Sequence, residues 1–293
     1  MLSRQKVLLS LLSHANRPLT RLSFVKLVFL LRNEYCAVSG SAFYDFVPYK
    51  YGPFSFALYR EMDALVQQGY IVSTDEGVAL APDFERVARP LVKDLPKAVL
   101  VAVDSVCQRF AHWDYRSLVA DVYRRYPWYA SKSELQEFCQ GLPLQRNVAE
   151  VAVYTAGYGE KSVDAFFDNL MRTGIRAIVD VRANPVSRKY GFARKSMSGI
   201  ADKLGLDYTH EPEVGISSAL RKHVDSVADL DRLLDTYEQE ILPKNQQAVA
   251  RVCTLIQQKP SVMVCAEKDA RYCHRSRLAS VVSSMTGLPV THL

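Results

Sequence analysis

The sequence predicts an α/β protein in two parts. Residues 1–146 form a mainly helical, winged helix-turn-helix-like domain, and residues 149–293 a Rossmann-like parallel α/β domain. Three observations lead there. Up to about Arg146, apolar residues recur at helical spacing around a single strand–turn–strand segment. From about Ala149, short β-branched runs alternate with amphipathic helical stretches, the pattern of a parallel sheet with crossover helices. Ionisable residues then collect directly after each predicted strand, where open α/β sheets place their ligands.

In chain order, RQKVLLSLLSHA is a first helix. RPLTRLSFVKLVFLLRNEY is a turn and a second helix, with Leu22, Val25, Leu27, Leu30 and Leu31 mostly on one face. Gly52 and Pro53 break the chain, and Ser55 caps a third helix carrying Leu58, Met62 and Leu65. GYIVSTDEGVALA is strand, turn and strand, turning at Asp75-Glu76-Gly77, and a further helical stretch includes SLVADVYRRYPWYASKSELQEF. Three helices and a two-stranded wing are the order of a winged helix-turn-helix. The third helix offers Arg60, Glu61, Asp63, Gln67 and Gln68 on its exposed face, and Lys50 and Tyr51 lie just upstream. Lys50, Tyr51 and Arg60 are therefore the candidate nucleic-acid contacts. One cation against two acids is weak for a DNA-reading helix, because phosphate contacts supply much of the affinity. Protein contact, including a homodimer through this domain, stays open beside DNA binding.

In the second half, VAVYTAGYG is a strand into a loop. SVDAFFDNLMRTG is a helix between an N-cap at Ser162 and a C-cap at Gly174. RAIVDVRANP is a buried strand, KSMSGIADKLG a helix, and LDYTHEPEVG a strand into a loop. A long helical region follows and is interrupted near Pro243; PSVMVCAE is a strand, CHRSRLASVVSSMTG a helix and LPVTHL a last strand.

The bulk properties narrow the class. A chain of 293 residues fits two domains. No apolar run approaches the roughly 20 residues of a membrane span, so no membrane role is expected. The leucine-rich start lacks a small-residue cleavage site and reads as an amphipathic helix, not a signal peptide. Six cysteines without a regular framework suit a reduced, cytoplasmic chain. A net charge of +6 permits an anionic partner, DNA or a nucleotide, without demanding one.

If the strands are parallel, four polar clusters meet on one rim. They are Gly157 and Tyr158; Asp180, Arg182, Ser187, Arg188 and Phe192; Glu213 and Gly215; and Cys265, Glu267, Cys273, His274 and Arg275. Asp180, Glu213, Glu267, Cys273 and His274 are the candidate catalytic groups, and the remainder the ligand-binding ones. Arg182 and Arg188 suit a phosphate or carboxylate, with an Asp180–Arg182 structural pair as the alternative. Phe192 and Tyr158 offer stacking faces, with a core role as the alternative. Glu213 and Glu267 could divide acid and base roles, or pair with the rim arginines. Cys265 and Arg271 have the C-x5-R spacing of a phosphatase loop, but Glu267 and Asp269 inside it would repel phosphate. Cys265, Cys273 and His274 could bind zinc, with Glu213 or water as the fourth ligand, but adjacent Cys-His ligands and a seven-residue gap are not a common zinc spacing, so the site stays open and no metal is assigned. A thiolate nucleophile, and a purely structural network of Cys265, Cys273, His274 and Arg275, remain open.

These stretches carry a resemblance. YTAGYGEKSVDAFFDNLMRTGIRAIVDVRANPVSRKYGF, YTHEPEVG and VMVCAEKDARYCHR resemble the domain-of-unknown-function family 488. The matching positions are the Gly-Tyr after the first strand, Asp180, Arg182, Pro185, Ser187, Arg188, Phe192, Glu213, Gly215, Cys265, Glu267 and Cys273-His274-Arg275. The resemblance spans about 145 residues. It implies a Rossmann-like domain and little about the reaction or its cofactors. Val214, where leucine is common, is a mild departure. YKYGPFSFALYREMDALVQQGYI resembles the N-terminal modules of Panacea-type (SocA-like) antitoxins, chiefly at Tyr51 to Ser55 and at Tyr126-Pro127 to Ser133. The functional expectation is an enzyme processing a nucleotide or a base in nucleic acid, by N-glycosidic or other base-directed hydrolysis. The alternatives are a ligand-sensing DNA-binding regulator, or an interaction module of a toxin–antitoxin or defence system.

Overall fold

A computed structural model describes residues 1–38, 43–75, 77–83, 86, 89–144, 147–222 and 224–293. The chain splits into two compact units, Met1–Gln145 and Arg146–Leu293.

The first unit contains α1 (Ser3–Ala15), α2 (Arg21–Glu34), a hairpin of β1 (Val47–Tyr49) and β2 (Gly52–Phe54), and α3 (Phe56–Gln67). A second hairpin of β3 (Ile71–Thr74) and β4 (Gly77–Leu80) follows, then α4 (Lys97–Phe110) and α5 (Tyr115–Arg125). Ser55 caps α3 as its position predicts, accepting from the Leu58 N–H at 3.2 Å. The expected turn at Glu76 lies outside the described residues. α2 is not one-sided: every residue from Ser23 to Leu31 is buried, because α4 and α5 pack against it as well as the wing strand β4. The β1–β2 hairpin is an addition to the expected elements. It makes Lys50 and Tyr51 turn residues, with Gly52 at φ +91°, where a β-carbon would meet the Tyr123 ring. Lys50 is paired with Glu134 at 3.0 Å, while Arg60 is exposed on α3.

Beneath that hairpin Lys26 is buried and donates to the Tyr51 carbonyl. Burial lowers its ammonium to about 7. The unfolded chain then binds more protons than the folded one between about pH 7 and the ordinary lysine value. Stability therefore rises with pH through that window and is lowest below it. Lys26→Met is expected to flatten this dependence, which has a ceiling of about 5 kcal/mol. Trp113 and Trp128 both lie in this unit, so urea titrations of the whole chain followed by tryptophan fluorescence at pH 6, 8 and 10 read it out. Equal slopes for variant and wild type would refute it.

The second unit is a five-stranded sheet of β5 (Val153–Gly157), β6 (Ala177–Asp180), β7 (Asp207–His210), β8 (Ser261–Cys265) and β9 (Val290–His292). All neighbours are parallel, in the order β7-β6-β8-β5-β9. Its helices are α6 (Val163–Thr173), α7 (Arg194–Lys203), α8 (Val227–Thr236), α9 (Gln246–Gln258) and α10 (His274–Thr286). α6 begins at a Ser162 cap and ends at Gly174 with φ +91°, both as expected. The interruption near Pro243 is a π-helical turn over Tyr237–Ile241 and a short helix over Leu242–Lys244. Along the strands side chains alternate between faces. Val153, Val179, Val181 and Met263 join Leu234, Val249, Val252, Leu278 and Val282 in one core, so that face packs on α8, α9 and α10. Among the described residues, no helix is long and apolar enough to cross a membrane.

Candidate active site

The expected rim is two clusters, divided by the sheet. Asp180 lies opposite Val264 in the β6–β8 register, and so on the face away from Met263 and Cys265. There it accepts two hydrogen bonds from the Arg182 guanidinium, at 2.7 and 2.5 Å, and one from the Tyr208 hydroxyl at 2.5 Å. Arg182 spends its remaining Nη1 on the Tyr158 hydroxyl and the Phe192 carbonyl, both at 2.8 Å. Phe192 is fully buried and stacks on Tyr158 with centroids 4.1 Å apart. Asp180, Arg182, Tyr158 and Phe192 thus form one buried network, the structural pair and core aromatic that the sequence offered as alternatives to catalytic and ligand-binding roles. Ser187 accepts from the Lys189 N–H, and Arg188 is exposed on the same loop. Glu213 sits on a short 3-10 turn and shares Arg251 of α9 with Glu211.

The second cluster lies past the end of the central strand. Cys265 is the last residue of β8 and shares a face with Met263. His274 opens α10, one and two turns ahead of Leu278 and Val282, so the same helical face that buries those side chains directs its ring at the sheet. Its Nε2 donates to the Val181 carbonyl at 3.1 Å, which leaves Nδ1 as an acceptor facing Cys265 Sγ at 3.7 Å and Cys273 Sγ at 3.9 Å. Both thiols also reach Glu267 Oε2, at 2.8 and 3.1 Å. Arg221 donates to Glu267 Oε1 at 2.8 Å and lies 3.3 Å from His274 Nδ1. Cys265, Cys273 and His274 are all buried, with ligand atoms within 4.8 Å of one another.

The electrostatics follow from this crowding. Burial opposes ionisation of Glu267, but hydrogen bonds from both thiols and the Arg221 charge outweigh it and hold the carboxyl at about 2. The thiols divide one role: the Cys273 hydrogen bond, against burial and with help from His274, lowers Cys265. Burial, followed by that same hydrogen bond, raises Cys273.

Three further predicted residues lie against loop backbone. The Arg275 guanidinium is buried and holds the carbonyls of Glu267 and Lys268 at 2.6 and 2.9 Å. Gly157 lies so close that a β-carbon there would strike the Glu267 carbonyl; at Gly215 one would strike the Ala183 backbone. Arg271 is exposed and paired with Asp269 at 2.7 Å, so the C-x5-R spacing builds no anion cradle.

The cluster opens on a cavity of about 340 Å3 lined by Glu267, Cys273, His274, Arg221, Tyr272, Ile216, Val224, Leu230, Leu233 and Leu234. A shallower groove of about 770 Å3 runs past Lys268, Arg271 and Arg277. Those three cations are each paired with a carboxylate, whereas the Cys–His–Glu cluster borders the smaller cavity. Arg221 and the apolar wall were missed from sequence: they come from a loop without periodicity and from α8, whose apolar residues signal only a buried face.

A parallel α/β domain with a Cys–Cys–His–Glu cluster beyond its central strand is the class that fold and site define. Residues 162–282 match the family model described as Domain of unknown function DUF488, in the C-terminal half where the motifs indicated that family. No curated protein and no solved structure shows significant similarity to the chain.

Proposed function

We propose that the C-terminal domain is a hydrolase acting on a nucleobase-like heterocycle, free or within a nucleotide or nucleic acid. In this proposal the N-terminal domain, with its three helices and hairpin wing, supplies contact with DNA or a partner protein. The observation that supports the enzyme reading is the convergence of Glu267, Cys273, His274 and Arg221 on one otherwise largely apolar cavity. Its volume has room for a single ring. The leucines and Val224 accept the face of a flat heterocycle, and the partly exposed Tyr272 offers a stacking surface. Glu267, ionised and half-buried, is placed to take a proton from an attacking water, and Arg221 to meet an anionic group.

The test is incubation of the whole chain with nucleobases, nucleosides, nucleotides and single- and double-stranded DNA, followed by mass spectrometry. A mass change in one base-bearing class is expected. If the N-terminal domain holds phosphates, conversion of duplex should fall steeply between 50 and 200 mM salt, by roughly ten-fold or more, while free nucleotides respond little. A ligand that binds and leaves every member of the panel unaltered would replace the hydrolase with a sensor.

A further inference from the structure

Two thiols and an imidazole that meet in a buried corner are a soft donor set, of the kind that selects zinc over magnesium or calcium. We propose that Cys265, Cys273 and His274 bind one divalent cation of the zinc class, with the fourth position turned toward Glu267 and the cavity. Four features argue for it. The three ligand atoms come from the end of β8 and from the N-cap and first residue of α10, yet all lie within 4.8 Å of each other. The sulfur-to-Nδ1 separations of 3.7 and 3.9 Å are close to the edge of about 3.5 Å that zinc–sulfur and zinc–nitrogen bond lengths set in a tetrahedron. His274 is held by the Val181 carbonyl through Nε2, the outer contact that orients a metal-binding imidazole and frees its other nitrogen. Charge also balances: a divalent ion and two thiolates sum to zero, and Glu267 already has Arg221 as its counter-ion.

Binding releases to solvent whatever protons the two sulfurs still carry and forms two metal–sulfur bonds and one metal–nitrogen bond. The Arg221 contact with Nδ1 is given up and its pairing with Glu267 kept. Glu267 Oε2, now within hydrogen-bond reach of both sulfurs, is left beside the fourth position. The ion's part in catalysis rests on the hydrolase reading above; its binding does not. In that reading it holds the attacking water. One proton passes to Glu267, the hydroxide oxygen bonds to the electrophilic carbon, and Glu267 returns the proton to the departing nitrogen as the carbon–nitrogen bond breaks.

The experiment uses reduced, chelator-stripped whole chain titrated with Co2+ and then Zn2+. The expected result is one ion per chain, with thiolate charge-transfer and tetrahedral absorption from Co2+ that Zn2+ bleaches. Cys265→Ser and Cys273→Ser should each weaken binding by roughly 100-fold or more, with folding checked by circular dichroism. Cys107→Ser and Cys253→Ser should bind as wild type. No thiolate absorption in the wild type, or equal loss in the Cys107 or Cys253 variant, overturns the site. Ion binding without turnover of any substrate upholds the site and sinks the hydrolase, whereas turnover undiminished after stripping overturns the ion's catalytic part.

Discussion

Arg182→Ala is expected to destabilise the C-terminal domain by about 3–5 kcal/mol, the cost of leaving a buried charge without its partner. Asp180 is fully buried and receives two hydrogen bonds from that one guanidinium. The Tyr208 hydroxyl remains and is neutral. The loss extends further, because the same Arg182 ties Tyr158 and the Phe192 carbonyl to the end of β6. The double variant Asp180→Ala, Arg182→Ala should lose less than the sum of the two single variants, since each single change strands the other's charge. The readout is chemical denaturation of the whole chain followed by far-ultraviolet circular dichroism. Tryptophan fluorescence alongside it follows the N-terminal unit, which holds both tryptophans. An unchanged circular-dichroism midpoint together with lost ligand binding would restore Arg182 as a ligand anchor and refute the closed network.

The strand–helix alternation was legible because it rests on local signals. Ser55, Ser162 and Gly174 do at their helix ends what their side chains and backbone freedom dispose them to do. The sidedness of the site was not legible, because it depends on register. Asp180 and Cys265 both end strands, yet β6 aligns Asp180 with Val264, one residue short of Cys265, and that offset turns the two side chains to opposite faces. The same limit left the thiol–imidazole corner open among metal, nucleophile and structural readings. A seven-residue gap has no zinc signature in one dimension. The 3-10 turn over Ala270–Tyr272 brings the chain back, so that Cys273 and His274 return beside Cys265. Arg221 carried no signal, because its role comes from where the loop after β7 lies, not from its neighbours in the chain. The family motif marked Asp180, Arg182 and Cys265 alike, and only the structure separates the network that holds the domain together from the cluster that faces the cavity.

Glu267→Gln is expected to lower kcat by roughly 10²- to 10⁴-fold with KM little changed, the loss associated with removing a positioned proton-transfer group. The substitution keeps the side chain's size and leaves an amide oxygen to meet Arg221, so the cavity lining should persist. What disappears is the only carboxylate in that lining among the described residues, and with it the acceptor for the water's proton. Binding of substrate should hold or tighten, because a negative charge beside an anionic group is gone. Cys265→Ser should also abolish turnover, but by a different route: it removes a donor to the proposed ion, whereas Glu267→Gln keeps the ion bound. The two variants are therefore separated by metal content and not by rate. Groups that act as one unit show strong non-additivity, so the double variant should be no slower than Cys265→Ser alone. Steady-state kinetics on the substrate found by the mass-spectrometric panel, with metal analysis of each variant, make the comparison. Near-wild-type kcat in Glu267→Gln would remove Glu267 from the reaction, and rate losses that multiply in the double variant would show that Glu267 acts independently of the proposed ion.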